Sequence, residues 1–358
     1  MNIVIGAGGS GGHVFPALET AKKLKAQAHT VIFLTTKGLA FDLIRRHGFE
    51  ALIIDPPRLK LSSPASAFKE GWGMISAIDD TLQLLKSISP RVVVGFGGYG
   101  AFPVVVAAII KRMPTLIHEQ NVVPSRSNRL LSRFVHRIAL SFDQSHKYFP
   151  LKKSVVTGCP CRNHCSFLSK EDIYKSFGFL PYKKTIFILG GSQGSRRINE
   201  EFSKAVAMLE GSLDFQFIHL CGKSDYAWLQ KEYGALKIRY RLFDFLDDVQ
   251  SAYVIADLVI ARSGAVTVSE ILSFQKRAIL VPYPLVRVHQ RENAQVVVDK
   301  GWACMIDDSE CYAPRLKSEI LHMLSLGTRC DRLNLTVQEG ARDAPQEKIA
   351  QEIVRLAL

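Results

Sequence analysis

The sequence predicts an α/β protein built from two doubly wound domains, each with a parallel sheet. Short runs of apolar and β-branched residues alternate with segments of helical periodicity, which is the pattern of parallel strands joined by crossover helices. The runs form two series, and each series opens with a strand that leads into a glycine-rich loop. The length of 358 residues suits two domains, because a domain commonly holds about 100–200 residues.

The first series predicts seven strands, several of them continuous hydrophobic runs, as expected of strands covered on both faces. They are Ile3–Ile5, Val31–Leu34, Leu52–Ile54, Val92–Val94, Thr115–Ile117, Arg137–Leu140 and Val155–Val156. The uncharged stretch 92–110 has the length of a membrane span, but glycines and Pro103 interrupt it. It therefore predicts a strand, a glycine loop and a short buried helix.

The second series predicts six strands: Thr185–Leu189, Phe215–Leu220, Ile238–Arg241, Leu258–Ala261, Ala278–Val281 and Ala303–Ile306. The domain boundary is expected near 157–165, where Gly158 and Pro160 break the pattern. Near the end of the chain, Pro345 stands at a predicted first helical position. The residues that follow it form one apolar face at helical spacing, so this last helix must pack on one of the two domains.

Composition and charge narrow the function classes. With 47% hydrophobic and 22% charged residues, the chain is neither disordered nor fibrous. Lysine and arginine number 46 against 33 aspartate and glutamate, a net charge of +13 that favours an anionic partner. The seven cysteines and an N-terminus without a basic leader predict reduced thiols in a cytoplasmic compartment. The cluster Cys159, Cys161, His164 and Cys165 lacks the usual zinc spacing, so no metal site and no cofactor are expected.

The first glycine loop satisfies a nucleotide-binding pattern. Gly6, Gly8 and Gly11 form G-x-G-x-x-G between a strand and a helix, where backbone N–H groups and the helix dipole favour an anion. An NAD-binding version needs an acidic residue about 20 residues further on, whereas the second strand ends in Thr35-Thr36-Lys37. His13 follows the loop at the mouth of the expected cleft, where either a catalytic or a structural role suits it.

Other polar segments follow predicted strands, where open α/β sheets bind ligands. Gly97-Gly98-Tyr99-Gly100 would place Tyr99 at the rim of a site or form a plain turn, and His118-Glu119-Gln120-Asn121 would line a site or cap a helix. In the second half, a Ser-Gly turn precedes a helix expected to begin near Ala265, whose N-terminus favours a diphosphate. Glu270 suits ribose hydroxyls, although an ordinary solvated glutamate remains the alternative.

The ordered set of these motifs resembles the MurG family, the UDP-N-acetylglucosamine:lipid I transferases of peptidoglycan synthesis. The matching segments are Gly8–Pro16, Gly97–Tyr99, His118–Asn121 with Asn128-Arg129, Gly190–Gly194, Arg262–Glu270 and His289-Gln290 with Asn293-Ala294. Ser10, where threonine is usual, Ser125, Cys161 and the run Val286-Arg287-Val288 depart from the family pattern. These departures concern loop geometry rather than the class of reaction.

The resemblance implies a GT-B fold with two Rossmann-like domains facing across a cleft. Residues 1–160 with 341–358 would form the domain that faces the acceptor and the membrane, and residues 161–340 the domain that binds UDP-GlcNAc. The implied reaction is an inverting transfer of GlcNAc to the 4-hydroxyl of MurNAc in undecaprenyl-diphosphoryl-MurNAc-pentapeptide, which converts lipid I to lipid II. No essential metal is implied.

The resemblance also implies roles for single residues. His13 is the candidate general base. In the first half of the chain, Ser10, Gly11, Gly12 and Asn121 would contact the donor sugar or its phosphates, and Tyr99 is a further expected substrate-binding residue. In the second half, Arg162 and Ser192 would hold the diphosphate, the backbone of Leu246 would meet the uracil, and Gln290 would bind the GlcNAc hydroxyls. Phosphate and ribose would be bound by Ala265, Val266, Thr267, Val268, Ser269 and Glu270.

A lipid acceptor requires the protein to touch a membrane surface. Segment 58–78 contains Arg58, Lys60 and Lys69 beside the apolar residues Leu61, Phe68, Trp72, Met74 and Ile75. It therefore predicts either a peripheral contact on the cytoplasmic side of an anionic inner membrane or a core helix with solvated flanks. No nucleic-acid partner is expected, because aromatic and basic residues are not interleaved. The alternatives are an NAD(P)-dependent oxidoreductase, a UDP-GlcNAc 2-epimerase and a basic scaffold without catalytic activity.

Overall fold

The computed structural model describes residues 1–57, 64–161, 169–191, 194–285, 289–326 and 344–358. The chain divides into two compact units, Met1–Cys161 with Val337–Leu358, and Arg162–Thr336. Each unit holds one sheet in which all the paired strands are parallel, and helices connect successive strands. The expected fold class, two Rossmann-like doubly wound α/β units, is confirmed.

The strands are β1 Asn2–Gly6, β2 Thr30–Thr35, β3 Glu50–Ile53, β4 Val92–Gly95, β5 Thr115–Glu119, β6 Arg137–Leu140, β7 Ser154–Val156, β8 Lys184–Leu189, β9 Phe215–Leu220, β10 Tyr240–Phe243, β11 Leu258–Ala261, β12 Arg277–Leu280 and β13 Ala303–Met305. The helices are α1 Gly11–Ala26, α2 Leu39–Arg46, α3 Pro64–Ile88, α4 Ala101–Ile110, α5 Arg126–Leu131, α6 Lys170–Phe177, α7 Arg196–Leu209, α8 Tyr226–Tyr233, α9 Val249–Ile255, α10 Ala265–Ser273, α11 Gln290–Val298, α12 Ala313–Ser325 and α13 Pro345–Ala357.

The N-terminal unit has the sheet order β3-β2-β1-β4-β5-β6-β7. The strand order reverses between β1 and β4, which pair from Ile3↔Val92 to Gly6↔Gly95. All seven strands predicted for this half are present, and 92–110 forms β4, a glycine loop and α4 as expected. Within the described parts of the chain, no helix has the length and apolar character needed to cross a membrane.

Helix α13 packs in the N-terminal unit, against α1. It begins with Pro345 at the predicted first position, and Ile349, Ile353 and Ala357 are buried in the same core cluster as Leu18. Glu352 of α13 accepts a hydrogen bond from Arg137 Nε at 2.6 Å, at the start of β6. The apolar face of α13 predicted from the sequence is therefore the face that packs against the core of the N-terminal unit.

The C-terminal unit has the sheet order β10-β9-β8-β11-β12-β13, with the reversal between β8 and β11. All six strands predicted for this half are present, but β10 begins two residues later than expected. Ile238, Tyr240 and Leu242 alternate along the segment and all pack on the same core. Their alternation starts before the pairing with β9, which begins at Tyr240↔Phe217, so periodicity misplaces the strand's start.

Candidate active site

In the N-terminal unit, the loops that follow β1 and β4 pack against each other at the sheet's reversal point. A Cβ atom on Gly98 would lie 2.2 Å from the carbonyl oxygen of Gly8, and the φ of Gly98 is +77°. A Cβ atom on Gly9 would lie 3.3 Å from Cε1 of Tyr99. Glycine is required at 98 for both space and backbone conformation, so the two predicted ligand loops form one surface.

His13 lies in the first turn of α1, against the loop that follows β4. Its Nδ1 lies 3.1 Å from Oγ of Ser10, and a Cβ atom on Gly97 would come within 2.9 Å of its Cδ2. Burial among these groups lowers the pKa of His13 to about 4, although the side chain keeps partial exposure. The imidazole is therefore neutral at neutral pH and has a lone pair able to accept a proton.

Glu119 organises the segment that follows β5. Its carboxylate accepts hydrogen bonds from the backbone N–H groups of Asn121 (3.0 Å) and Ser125 (3.2 Å), and from Nδ2 of Asn128 at 2.8 Å. Burial raises the pKa of Glu119, and these hydrogen bonds oppose the rise. Glu119 thus belongs to a buried polar network, while Asn121, which it holds in place, is partly exposed.

His118 points into the same buried region. Burial lowers its pKa to about 4, and the nearby His13 lowers it further. Its Nε2 lies 3.3 Å from the carbonyl oxygen of Gly158, and its Nδ1 has no hydrogen-bond partner among the described residues. His118 and Glu119 thus lie in a buried polar network at the end of β5, and Asn121 is its edge toward solvent. The ligand-binding role expected of this segment stays a prediction.

In the C-terminal unit, Arg262 joins the loops at the reversal point. Its Nε donates to Oγ of Ser195 at 2.9 Å, and its Nη1 donates to the carbonyl oxygens of Val281 and Pro282, both at 3.2 Å. Arg262 is only 8% exposed. Arg262 has no predicted role of its own, although an arginine directly after a buried apolar strand is a usable signal of one.

Helix α10 begins at Ala265, as predicted. Gly264 precedes it in an extended conformation without a side-chain cap, and no acidic side chain lies in the first turn. Val266, Thr267 and Ser269 are partly exposed, whereas Ala265 and Val268 are buried. An uncapped helix N-terminus of this kind offers N–H groups and a positive dipole end to an anion.

Glu270 is buried rather than solvated, which excludes the ordinary-glutamate alternative. It is 3% exposed and accepts a hydrogen bond at Oε2 from the hydroxyl of Tyr253, at 3.1 Å. Tyr253 is a second residue that the sequence analysis missed, because it lies inside an apolar helical segment that reads as core.

The other predicted contacts of this unit lie on loops beyond the carboxyl ends of its strands. Gln290 opens α11, where its Oε1 accepts from the backbone N–H of Tyr283 at 3.0 Å and its carbonyl oxygen accepts from Oγ of Ser263 at 2.8 Å. Leu246 is partly buried between β10 and α9. The predicted diphosphate contacts Arg162 and Ser192 lie outside the described residues, as do residues 286–288.

Helix α3 exposes large apolar side chains on one face. Phe68, Trp72 and Ile75 are 77%, 68% and 59% exposed, at spacings of four and three residues. Met74 and Ala77 on the other face are buried. The exposure of Trp72 contradicts the core-helix alternative, whereas Met74 is buried as that alternative predicted. Residues 58–63 lie outside the described residues.

Two family models match the chain. The glycosyltransferase family 28 N-terminal domain matches residues 3–140, and the corresponding C-terminal domain matches residues 185–353. A protein of Thermodesulfovibrio yellowstonii named UDP-N-acetylglucosamine–N-acetylmuramyl-(pentapeptide) pyrophosphoryl-undecaprenol N-acetylglucosamine transferase is 35% identical over 330 residues, which are 91% of this chain and 90% of the relative. A protein of the same name from Halothermothrix orenii is also 35% identical, over 93% of both chains.

Among solved structures, MurG from Acinetobacter baumannii superposes with a TM-score of 0.75 at 29% identity, covering 99% of both chains. The sequence and structure comparisons thus agree over nearly the whole chain. The N-terminal family model lies within the first compact unit, and the C-terminal model covers most of the second and extends into α13. The chain belongs to glycosyltransferase family 28, in the MurG family.

Proposed function

We propose that this chain is an inverting glycosyltransferase that moves GlcNAc from UDP-GlcNAc to the MurNAc 4-hydroxyl of undecaprenyl-diphosphoryl-MurNAc-pentapeptide, making lipid II for peptidoglycan synthesis. The observation that carries the proposal is the 35% identity to transferases of that name over more than nine-tenths of the chain. The glycine-rich loops at both sheet reversal points support it, because such loops bind nucleotides and phosphates.

The C-terminal unit is proposed to bind the donor. The N-terminus of α10 faces the diphosphate together with Arg162 and Ser192, and Glu270 binds the ribose hydroxyls. The backbone of Leu246 contacts the uracil, and Gln290 contacts the GlcNAc. Glu270 lies in the second turn of α10, beyond the N–H groups that favour phosphate, so its negative charge is set back from the diphosphate.

The N-terminal unit is proposed to supply the base. As the 4-hydroxyl oxygen forms its bond to the anomeric carbon, the bond from that carbon to the UDP oxygen breaks and His13 accepts the hydroxyl proton. Nε2 accepts this proton when Nδ1–H donates to Ser10, which lies 3.1 Å away. Gly11, Gly12, Tyr99 and Asn121 complete this side of the proposed site.

The acceptor brings the protein to a membrane surface, and the exposed face of α3 is the proposed contact. Phe68, Trp72 and Ile75 would insert between lipids, and Lys69, also exposed, would meet anionic headgroups. A basic residue near an anionic surface contributes about 1 kcal/mol. The protein would then act as a peripheral enzyme on the cytoplasmic side of the cell membrane.

The deciding experiment measures UDP release from UDP-GlcNAc with and without a soluble lipid I analogue. The transferase releases UDP only with the acceptor and forms a disaccharide product. Formation of the 2-epimer without acceptor would instead identify an epimerase. Tight, saturable NAD(P)H binding in a fluorescence titration, with no UDP release, would identify an oxidoreductase.

A further inference from the structure

Tyr253 of α9 is held rigidly inside the C-terminal unit. Its side chain is fully buried. Its ring stacks on Phe274 at 5.2 Å between centroids, with 5° between the planes, and meets Phe187 of β8 edge-on at 5.1 Å and 90°. Aromatic pairs in these geometries add stability beyond their buried area, so the direction of the phenol is fixed by its neighbours.

The hydroxyl of this fixed phenol donates to Oε2 of Glu270 at 3.1 Å. Both groups are buried, and a hydrogen bond to an ionised carboxylate is roughly twice as strong as a neutral one. A carboxylate offers about four acceptor positions on its two oxygens, and the phenolic donor fixes the direction of one of these oxygens. The bond therefore selects one orientation of the Glu270 carboxylate.

The hydrogen bond also links two helices that carry different proposed donor contacts. Tyr253 lies on α9, which follows the loop of Leu246, and Glu270 lies on α10, whose N-terminus faces the diphosphate in the proposed complex. A shift of α9 would therefore turn the Glu270 carboxylate relative to the loop of Leu246, which is proposed to contact the uracil.

We propose that Tyr253 is a positioning residue: it holds the Glu270 carboxylate toward the ribose of a uridine diphosphate and thereby sets the preference for ribonucleotides over 2′-deoxyribonucleotides. This proposal rests on the proposed ribose role of Glu270. Without the phenolic donor, the carboxylate loses one of the contacts that orient it, and it pairs with the ribose hydroxyls less often. The contacts to the ribose are therefore weakened, and the contacts to the diphosphate are unchanged.

The test compares binding of UDP and of 2′-deoxy-UDP, measured by calorimetry, in the wild type, Tyr253→Phe, Glu270→Gln and Tyr174→Phe. Tyr174→Phe is the matched control, because the buried Tyr174 hydroxyl also donates to α9, at the carbonyl oxygen of Ile255 (3.5 Å), without touching Glu270. Hydrogen bonds to charged groups predict a wild-type preference for UDP of roughly tenfold or more. Tyr253→Phe is expected to lower that preference by about three- to tenfold, and Tyr174→Phe to leave it unchanged.

The outcomes separate this inference from the proposed function. A preference that collapses in Glu270→Gln and stays at the wild-type value in Tyr253→Phe overturns the positioning role and leaves the ribose role intact. A preference that Glu270→Gln does not change contradicts the ribose role itself, and the positioning role falls with it. Equal weakening of UDP and 2′-deoxy-UDP in Tyr253→Phe marks a purely structural residue and also overturns the proposal.

Thermal unfolding checks that each variant is folded. Should Tyr253→Phe fail to fold, Phe274→Leu becomes the deciding variant, because it removes the stacking partner and leaves both hydrogen-bonding groups in place. A lowered preference for UDP in folded Phe274→Leu supports the proposal, and an unchanged preference overturns it.

Discussion

The two units share one plan and differ in what stands at the reversal point of each sheet. In the N-terminal unit, the loops after β1 and β4 enclose the imidazole of His13, with buried His118 nearby. In the C-terminal unit, the loops after β8 and β11 are tied together by Arg262 and lead into an uncapped helix N-terminus. One reversal point thus presents a group that can exchange a proton, and the other presents the N–H groups and the dipole of a helix N-terminus.

This difference suits the two halves of a glycosyl transfer. Accepting a proton requires a group whose charge changes during the reaction. Holding a leaving diphosphate requires positive groups that keep their place and charge while the bond breaks. The same strand–loop–helix unit serves both needs because the sheet edge stays the same and only the loop residues change.

Replacement of His13 by alanine is the largest expected effect and the strongest test of this comparison. Loss of a general base lowers turnover by about 10²–10⁴-fold, while UDP binding, which is proposed mostly for the other unit, changes much less. Turnover with a soluble acceptor analogue and calorimetric binding of UDP measure the two effects separately.

His47→Ala is the control for His13, because His47 is an exposed histidine of the same unit. Burial lowers the pKa of His13 to about 4, so the unprotonated form predominates above that pH. The kcat/KM of the wild type is therefore expected to fall only as the pH drops toward about 4. Near-normal turnover of His13→Ala would remove the proposed base.

Glu270→Ala is expected to have the next largest effect, on donor binding by the C-terminal unit. Losing charge-assisted hydrogen bonds to the ribose raises the KM for UDP-GlcNAc roughly ten- to 100-fold, with a much smaller change in kcat because the base is untouched. Steady-state kinetics over a range of donor concentrations separate the two constants. An unchanged donor KM would contradict the ribose role, and a selective loss of kcat would contradict the division of labour.

Trp72→Asp tests a surface of the N-terminal unit that is separate from the chemistry. Because Trp72 is 68% exposed on α3, the substitution leaves folding and the soluble-acceptor activity near the wild-type level. Binding to vesicles that contain anionic lipid is expected to fall about tenfold or more, since the insertion of an indole is replaced by a like charge at the membrane surface.

A matched variant sharpens the Trp72 test. Tyr182→Asp alters an aromatic residue of the C-terminal unit that is 77% exposed, so it repeats the change in chemistry on the other unit. Vesicle sedimentation should separate the two variants. Equal losses of vesicle binding in both would mean that net charge, rather than the α3 face, sets membrane affinity.

The sequence predicted the fold well because each strand is a local signal. Apolar runs such as Val92–Val94 and glycine loops such as 97–100 carry their structure in a few adjacent residues. The start of α10 at Ala265 and of α13 at Pro345 were equally local. Strand boundaries were less exact: β3 begins two residues before its predicted start, and β10 two residues after. The late start of β10 arises because its side-chain alternation begins before its hydrogen-bond pairing.

The site was less predictable, since its decisive contacts join residues far apart in the chain. The hydrogen bond from Arg262 to Ser195 joins residues 67 positions apart, and the residues next to them in the chain do not indicate which partner each will have. The role of Tyr253 depends on Glu270 and on two ring neighbours, all on other elements. The candidate role of His13 could be predicted because its glycine loop lies beside it in the sequence. Its low pKa could not be predicted, because it arises from burial against the distant Gly97 loop.

The smallest predicted effect concerns a histidine that has a lowered pKa without a catalytic task. Burial lowers the pKa of His219 in β9 to about 3, and its Nδ1 and Nε2 lie 2.7 Å from the Tyr233 hydroxyl and 3.0 Å from Oδ1 of Asn199. Since Nδ2 of Asn199 donates to Asp225 at 2.7 Å, Oδ1 must accept from Nε2–H, and Nδ1 then accepts from Tyr233. This arrangement requires the neutral ring, so the unfolded state, with a pKa near 6.5, binds the proton first as the pH falls.

The free energy of unfolding should therefore decline as the pH drops below about 6.5, by up to about 1.4 kcal/mol per pH unit for this one group. His219→Gln keeps an amide that does not titrate, so denaturant unfolding at pH 7, 6 and 5 should show a shallower decline than the wild type, with exposed His322→Gln as the control. Because no member of this network is a proposed substrate contact, the pH dependence of turnover in His219→Gln should stay that of the wild type wherever the protein is folded. An unfolding free energy in His219→Gln that declines as steeply as in the wild type would show that this histidine is not the titrating group.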